Sequence, residues 1–518
     1  MIELCRRQLN FGDGLIAEEV ADLWEDWMRH VDVVLEDALL LNAAYEALAC
    51  RWKNSRTHGR KGTPVDVVVR LLVLKHVRNW SYAALEREVR SNLVYRQFTR
   101  IGAAKVPDAK TLGKLGLALG PEIIEQIHQR VVAIAQEQKV ITGRRMRVDT
   151  TVVETDIHYP TDASLLGDGV RVLTRTMRRI ADLVGDAGTK VRDRTRSTRR
   201  CLVQIGRASR SRGEQGKQRM WQCYRRLMAI AGRVVGQARR FVREVSEGIK
   251  RSRRLLEQAA IEGHCQYLVS MIPRVQQVLR QTRERIDKGN THAPDKIVSL
   301  FEPDTEVIRK GKAGKPTEFG KMVKIQEAEQ QIVTHYEVYD RRPSDSDLLI
   351  PSLAVHEQQF GRPPRLVTAD AGFFSARNEA HAQARGVKRV AIPNLGTKSE
   401  ERRALQRKRW FRDAQRWRTG CEGRISLLKR RHGLDRCRYK GLAGMKRWVG
   451  LGVVADNLIN IARAMAEAAA QRDNGANQFC AGKELGLRFG RHGGTGAQVF
   501  RAATRLPSQQ SVPPPPCA

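Results

Sequence analysis

The segment RWFRDAQRWRTGCEGRISLLKRRHG, Arg409–Gly433, is the stretch from which the rest of the chain can be read. At about 3.6 residues per turn, Trp410, Ala414, Trp417, Cys421, Ile425 and Leu428 recur at steps of three and four. They form one apolar stripe, the mark of a helix packed on a core. Roughly a quarter-turn away, Arg418, Glu422 and Lys429 are spaced four and seven apart and stack on one line. One carboxylate therefore sits between two cations. Gly420 and Gly423 flank it. Glycine in a helix interior costs roughly 1 kcal/mol relative to alanine, so the pair predicts close approach by another backbone or by a substrate. His432-Gly433 supplies a stop. Taken alone, the pattern also fits an amphipathic surface helix with i,i+4 ion pairs, and the flanking sequence has to decide.

Upstream, Arg365–Asp370 (RLVTAD) and Val387–Ile392 read as short strands, with a helix over Ser375–Arg385 between them. A helix over Ser344–Phe360, capped by Ser344 or Asp345, precedes them. Lys321–Glu327 and Gln331–Tyr339 surround polar Glu329-Gln330 and predict a hairpin. Lys296–Leu300 (KIVSL) predicts a strand, and Arg309–Gly320 (RKGKAGKPTEFG) a basic loop. Farther back, RRMRVDTTVV at 144–153 is rich in β-branched residues, as a strand wants. Asp149 sits within it, and a carboxylate in a buried strand is expensive unless paired or bound to a metal. Strand, insertion, hairpin, helix, strand, helix, strand, helix is the order of a mixed α/β sheet with helical crossovers.

Residues 160–295 interrupt that order. Lys190–Arg254 holds 21 Lys or Arg against four Asp or Glu, yet Trp221, Tyr224, Leu227, Met228 and Ile230 keep helical spacing. This is expected to be a helical insertion with a cationic face, with disorder as the alternative. Residues 1–140 read as helical. Leu23, Trp24, Trp27, Met28, Val34, Leu35, Leu39 and Leu40 suggest one apolar face, Pro64 and Ser81 open later helices, and Pro107-Asp108 starts another. Short helices joined by tight turns fit a helix-turn-helix DNA reader, or a plain scaffold or dimerisation module. Residues 440–470 form an apolar helix, and the chain from Gln471 to SVPPPPCA is expected to be mostly disordered.

The composition narrows the partner. The chain has 518 residues, 41% hydrophobic, with a net charge of +37. Such an excess points to a polyanion, most simply nucleic acid. No apolar run of eighteen or more residues is read and the N-terminus lacks a signal-peptide core, so no spanning helix, no membrane and a cytoplasmic location are expected. Nine scattered cysteines without a CxxC pair suggest free thiols rather than a zinc site or disulfides.

Three carboxylates stand out among 56 Asp and Glu: Asp149 on the first strand, Asp370 at the end of a later one, and Glu422 on the opening helix. In open α/β sheets functional groups gather at strand ends. Oxygen-only ligation suits Mg²⁺, with Mn²⁺ as a substitute. Two such ions about 4 Å apart would clamp the attacking and leaving oxygens of a phosphoryl transfer. Glu154, Asp156 and His158 either tune that site or form a polar loop; Asp162 and Asp168 are expected in a solvated loop. His432 could touch phosphate or favour the helix end. The tracts RKGKAGK and RRALQRKRWFR read as DNA-backbone contacts or solvated basic surface.

With these residues in view, the chain resembles the bacterial insertion-sequence transposases with an RNase H-like catalytic domain and a DDE triad. The resemblance covers roughly residues 60–465 and is carried by RMRVDTTVVETD, KAGKPTEFGKMVKI, LVTADAGFF and RTGCEGRISLLKRRHGL. One branch carries Tyr-x2-Arg-x3-Glu-x6-Lys on its glutamate helix; Arg418, Glu422 and Lys429 match, and Gln415 stands at the tyrosine position. The resemblance implies that Asp149, Asp370 and Glu422 are catalytic and bind two Mg²⁺ ions. It places Arg418 and Lys429 near the scissile phosphate; Lys312, Lys315, Arg430 and Arg431 are expected, from their charge, as further DNA contacts. The expected division is a helical DNA-binding or dimerisation domain at 1–140, a split RNase H-like catalytic domain at 141–159 and 296–470, a basic helical insertion at 160–295, and a tail at 471–518. The expected activity is cutting at terminal inverted repeats and joining to target DNA, by a homodimer or higher assembly. The alternatives are a nuclease or resolvase that does not join, and a non-catalytic DNA-binding descendant.

Overall fold

The structure, a computed structural model, describes residues 1–5, 11–20, 22–184, 190–211, 213–248, 255–309 and 316–488. Seven helices come first: α1 Phe11–Glu19, α2 Asp26–Val34, α3 Ala38–Ala49, α4 Val65–Val77, α5 Tyr82–Ser91, α6 Leu93–Phe98 and α7 Ala109–Glu137. Their starts follow capping chemistry. The side chains of Asp37, Ser81, Asn92 and Asp108 accept hydrogen bonds from the amides of Leu40, Ala84, Tyr95 and Thr111. Pro64 precedes α4, whose residues Val65–His76 are buried on every side. The single face expected across Leu23–Leu40 is split instead. The chain turns between α2 and α3, leaving Leu23 and Leu39 exposed while Met28, Val31 and Leu40 are buried. α7 breaks at Gly120, with φ +70°, ahead of Pro121.

The remaining elements are β1 Arg145–Thr155, then α8 Asp162–Val184, α9 Thr195–Ala208, α10 Glu214–Gly248 and α11 Leu255–Lys288. β2 Glu306–Arg309, β3 Thr317–Glu327 and β4 Val333–Val338 follow, then α12 Leu349–Phe360, β5 Leu366–Thr368 and α13 Ala376–Ala384. The chain continues through β6 Arg389–Ala391, α14 Glu400–Arg407, α15 Arg409–His432, β7 Arg436–Cys437 and α16 Gly441–Arg488. The sheet order is β2-β3-β1-β5-β6, with β4 also on β3 and β7 also on β1. β1 runs antiparallel to β3 and parallel to β5, and β6 is parallel to β5. The protein is thus mixed α/β, and mostly helical.

The period of two along β1 divides its side chains between faces. Met146 and Val148 join Leu349, Leu353, Val367, Phe373 and Val390 under α12 and α13. Val153 joins Val323, Ile325, Leu428, Trp448 and Val453 under α15 and α16. Asp149, four residues from Val153, shares this second side. The α2–α7 core is continuous with Ile332 and with Leu451, Leu458 and Ile461 of α16, so the N-terminal helices pack directly on the sheet layer. α8–α11 close over a separate core that includes Leu173, Leu227, Val234, Phe241, Leu268 and Val275, so the described part of the insertion is folded rather than disordered.

Several expectations are corrected. Lys296–Leu300 is not a strand: the Ile297 amide donates to Gln281 of α11, and Ser299 Oγ accepts from the amides of Phe301 and Glu302. Strand structure begins ten residues later. The helix expected from Ser344 begins at Leu349, because Asp345–Asp347 form a 3₁₀ turn, and no side chain caps α12. Asp162 and Asp168 lie in α8, not in a loop; Asp162 is buried against Arg285 (3.1 Å) and Gln281 (3.1 Å), and Asp168 pairs with Arg171 at 2.6 Å. α16 runs on to Arg488, past the Gln471 at which disorder was expected, while 489–518 lie outside the described residues. Gly441–Gln471 is long and apolar enough, by length and composition, to cross a bilayer, although Lys446, Arg447 and Asp456 interrupt it. Of its apolar window, 72% is buried within the protein.

Gly320 makes the β1–β3 pairing possible. It opposes Glu154, and a Cβ there would overlap the Val153 carbonyl and the Glu154 backbone. Backbone cannot swing aside as a side chain can. Gly320→Ala is expected to lower stability by about 1–3 kcal/mol, the range for overpacking, read as a drop in the chemical-denaturation midpoint.

Candidate active site on the glutamate helix

Helix α15 is fastened at three levels, two to the sheet and one to α16. In its second turn, Gln415 Nε2 donates to Thr368 Oγ1 (3.0 Å), the Ala369 carbonyl (3.3 Å) and the Ala391 carbonyl (2.5 Å). The residue at the tyrosine position therefore ties the helix to the ends of β5 and β6, directly before Asp370. Two residues on, Arg147 of β1 donates to the Trp417 carbonyl (2.5 Å), lies over the Trp417 ring, and pairs with buried Glu327 of β3. Gly420 is the reason there is room, since a Cβ there would overlap the Arg147 guanidinium. The close approach expected at the two glycines is met at Gly420 by an arginine; Gly423 has open space beside it. Below, Arg424 of α15 pairs with Asp456 of α16 at 2.7 Å, both buried. Gly433, with φ +76°, ends the helix.

On the outer side of these anchors the three expected carboxylates gather around Arg418. Asp149 is mostly buried; its Oδ1 accepts from the Thr150 amide (2.7 Å), and its Oδ2 lies 3.7 Å from Arg418 Nη1. Arg418 Nη2 donates to Glu422 Oε1 at 2.9 Å, and its Nε to Gln415 Oε1 at 3.3 Å. Glu422 stays half-exposed. Asp370 caps its own turn, accepting from the Gly372 amide at 3.0 Å. Burial pushes the Asp149 carboxyl up to about 6; the charges of Asp370 and Glu422 push the same way, against the Thr150 hydrogen bond and Arg418. Burial also raises Asp370, and the next cause is Asp345.

Asp345 is a fourth carboxylate that sequence reading used only as a cap. Its Oδ1 accepts from Thr150 Oγ1 at 3.1 Å. A Cβ on Gly372 would lie 3.2 Å from Asp370 Oδ1 and 3.3 Å from Asp345 Oδ2, so both acids flank one backbone position. The only hint in the sequence was an acidic Ser-Asp-Ser-Asp before a helix, a pattern that caps produce far more often than sites.

Other candidates fall elsewhere. Lys429 lies half-buried two turns beyond Glu422, and Arg430 and Arg431 are exposed in the last turn. Lys312 and Lys315 lie outside the described residues. His432 is not a phosphate contact: it is buried, with Nε2 3.6 Å from Asp456 and Nδ1 3.2 Å from the His76 carbonyl. Glu154 and Asp156 face Arg436 near β7, each at 3.7 Å, and His158 faces Asp168. In the basic tract before α15, Arg402 binds Glu379 and the Ile392 carbonyl, so it serves the fold. Burial holds the Cys421 thiol well above its usual range, which leaves it inert beside Glu422.

Two stretches of the chain match known protein families. Residues 21–115 match the family model of a transposase domain (DUF772), and residues 377–462 match that of a transposase DDE domain. Arg418, Glu422 and Lys429 fall inside the second match, whereas Asp149 and Asp370 precede it. No curated protein and no solved structure matches the chain. A mixed α/β sheet with Asp149 within β1 and Asp370 just past β5, in a chain with these two matches, suggests a DNA-acting enzyme. The two matches support a DNA transposase of the insertion-sequence DDE kind.

Proposed function

We propose that this transposase cuts insertion-sequence ends and joins them to target DNA by two-metal phosphoryl transfer, with Asp149, Asp370 and Glu422 as the catalytic triad. The observation that carries the reading is the meeting of the three acids around Arg418, although they come from a strand, a strand end and a helix far apart in sequence. The strand arrangement supports an RNase H-like catalytic domain: β4-β3-β1-β5-β6, antiparallel on one side of β1 and parallel on the other. That domain is read as 141–159 with 296–470, the helical DNA-binding or dimerisation domain as 1–140, and the insertion as 160–295. The terminal inverted repeats and target DNA are its proposed partners, and pairing of two ends makes a homodimer or higher assembly the working form.

The donor chemistry fits Mg²⁺ or Mn²⁺. Asp149, Asp370 and Asp345 are oxygen donors; burial, and then the charge of neighbouring carboxylates, disfavours the ionised forms of Asp149 and Asp370, and a divalent cation would relieve that repulsion. Among the described residues no three such side chains stand close enough to share an ion as placed. Arg418 bridges Asp149 and Glu422, so ligation by Glu422 needs Arg418 to release it. Bound metal would lower the charge barrier at the phosphate and activate water or a 3′-hydroxyl. The chain's own groups do the rest. Arg418, freed from Glu422, presents the planar fork that suits a phosphate. Gln415 and Arg147 hold α15 at a set distance from β1 and β5. The hydrogen bond from Thr150 to Asp345 holds the turn that carries Asp345 against β1.

A strand-transfer assay with the element's own ends and Mg²⁺ is expected to give joined product, and Glu422→Gln to bind DNA nearly as well while cutting none. Cleavage without joining would favour a nuclease or resolvase, and retained cleavage by Glu422→Gln would remove it from the triad.

A further inference from the structure

The insertion carries a cationic row that the chemistry of the triad does not use. Arg219, Arg226, Arg233 and Arg240 recur every seven residues along α10 and are all exposed. At 1.5 Å per residue the row is about 32 Å long, and a seven-residue step drifts only about 20° around the helix. α9 lies alongside. Cys223 donates to Gln204 at one end of the pair, and Arg194 Nη1 donates to Gln237 Oε1 (3.1 Å) at the other. Arg194 and Arg207 thereby border the same face. Between the helices lies an open groove of about 470 Å³, lined by Gln204, Arg207, Ser211, Arg219, Gln222 and Arg226, without a carboxylate.

This charge is not neutralised within the fold. Among the described residues, no carboxylate stands within ion-pair distance of Arg194, Arg207, Arg219, Arg226, Arg233 or Arg240, although the chain pairs arginines freely elsewhere. Arg194 is held below the usual arginine range by burial and then by the positive charges of Arg192 and Arg233. Like charges crowded at this density raise the energy of the free protein, and a polyanion relieves it.

We propose that the α9–α10 face grips the backbone of duplex DNA, independently of sequence and away from the cutting site. A row of about 32 Å matches roughly one turn of B-DNA, about 34 Å. A lipid surface fits less well. Membrane-binding helices insert an apolar face, whereas Tyr224, Leu227, Val234, Ala238 and Phe241 of α10 are buried inside the four-helix core. The proposal does not depend on the triad, because phosphate contacts of this kind need no metal.

The test is binding of the full chain to a 40-base-pair duplex of arbitrary sequence, with chelator present, across a salt series. Each phosphate that goes without its cation reduces the slope of log K against log salt by about 0.9. Replacing Arg219, Arg226, Arg233 and Arg240 together by Gln is expected to reduce the slope by about 3.6 and weaken binding at least tenfold at about 0.1 M salt. The fourfold Arg→Lys variant should keep the slope, since the attraction is one of charge. If the fourfold Gln variant loses its helical circular dichroism, Arg226→Gln with Arg233→Gln is read instead, with an expected change of about 2. An unchanged slope and affinity would overturn the proposal. So would a loss confined to phosphatidylserine vesicles or to duplex RNA with DNA binding intact.

Discussion

Asp149→Asn is expected to abolish DNA cutting while leaving the metal-free protein at least as stable as the parent at pH 7. The activity half follows from the proposed role. Removing a metal-binding carboxylate forfeits several kcal/mol of charge stabilisation, and about 4 kcal/mol is roughly a thousandfold in rate. The stability half follows from burial. The folded-state pKa of Asp149 is raised from 3.8 to about 6. A raised carboxylate pKa means that the folded state holds its proton more tightly than the unfolded state does. Its contribution to stability is greatest below about pH 4 and is lost as pH rises through 6. At pH 7 the ionised side chain therefore destabilises the fold by an amount of order 2–3 kcal/mol. Asparagine removes that charge and keeps an oxygen for the Thr150 amide, now 2.7 Å from Oδ1. Against this, Arg418 loses a partner 3.7 Å away, a smaller effect at that distance. Thermal unfolding in chelator should show an equal or higher midpoint for the variant at pH 7, and the advantage should vanish at pH 4. A clearly lower midpoint at pH 7, or residual cutting near the parent rate, would refute the respective half.

Arg147→Met is expected to be the most damaging substitution outside the triad, in stability and activity together. Arg147 and Glu327 are both buried, at 4% and 0% side-chain exposure. Removing one partner of such a pair typically costs 3–5 kcal/mol, because the other charge stays buried alone. Here the arginine also serves the Trp417 carbonyl and the Trp417 ring. Its loss removes a buried link between the strand carrying Asp149 and the helix carrying Glu422. A shift of about 1 Å at a reacting centre can cost on the order of a hundredfold in rate. The pH signature separates this account from general disruption. Burial already raises Glu327, and loss of Arg147 raises it further. Protonated Glu327 needs no cationic partner, so the deficit relative to the parent should shrink as pH falls toward 5. Glu327→Gln on the Arg147→Met background should recover much of the stability by removing the stranded charge. Equal deficits at pH 5 and pH 8 would sink the explanation.

Part of this candidate site shows in residue types and spacing, and the resemblance to the transposase family carried the larger share. Glu422 is conspicuous because it is one acid between cations on a helix with a clear apolar stripe. Asp149 is conspicuous because a carboxylate in a β-branched strand has to be accounted for. Gly420 signalled a close approach, though of Arg147 rather than of a substrate. What escaped sequence reading lies where a short pattern has two meanings. KIVSL is apolar enough for a strand, but side-chain hydrogen bonds from Gln281 and Ser299 hold it in irregular structure. Asp345 resembles a helix cap, and only its hydrogen bond to Thr150 distinguishes it. Gln415 looked like a departure from a motif, yet its amide makes three contacts that no local rule could assign. His432 was read by its place at a helix end, and packing of α16 and α4 buried it.

The amino-acid sequence alone determined most of the helix and strand periods and the excess of positive charge, because these depend on neighbours within a turn or two and on composition; the three acids were singled out largely by the resemblance to the transposase family. Tertiary structure alone decided that Asp149, Asp370 and Glu422 meet around Arg418, that Arg147 fits only because position 420 is glycine, and that α10 turns its apolar side inward and leaves a row of arginines outside. These are matters of packing between segments up to hundreds of residues apart, where steric exclusion and the expense of burying unpaired charge select among arrangements that local preferences leave open.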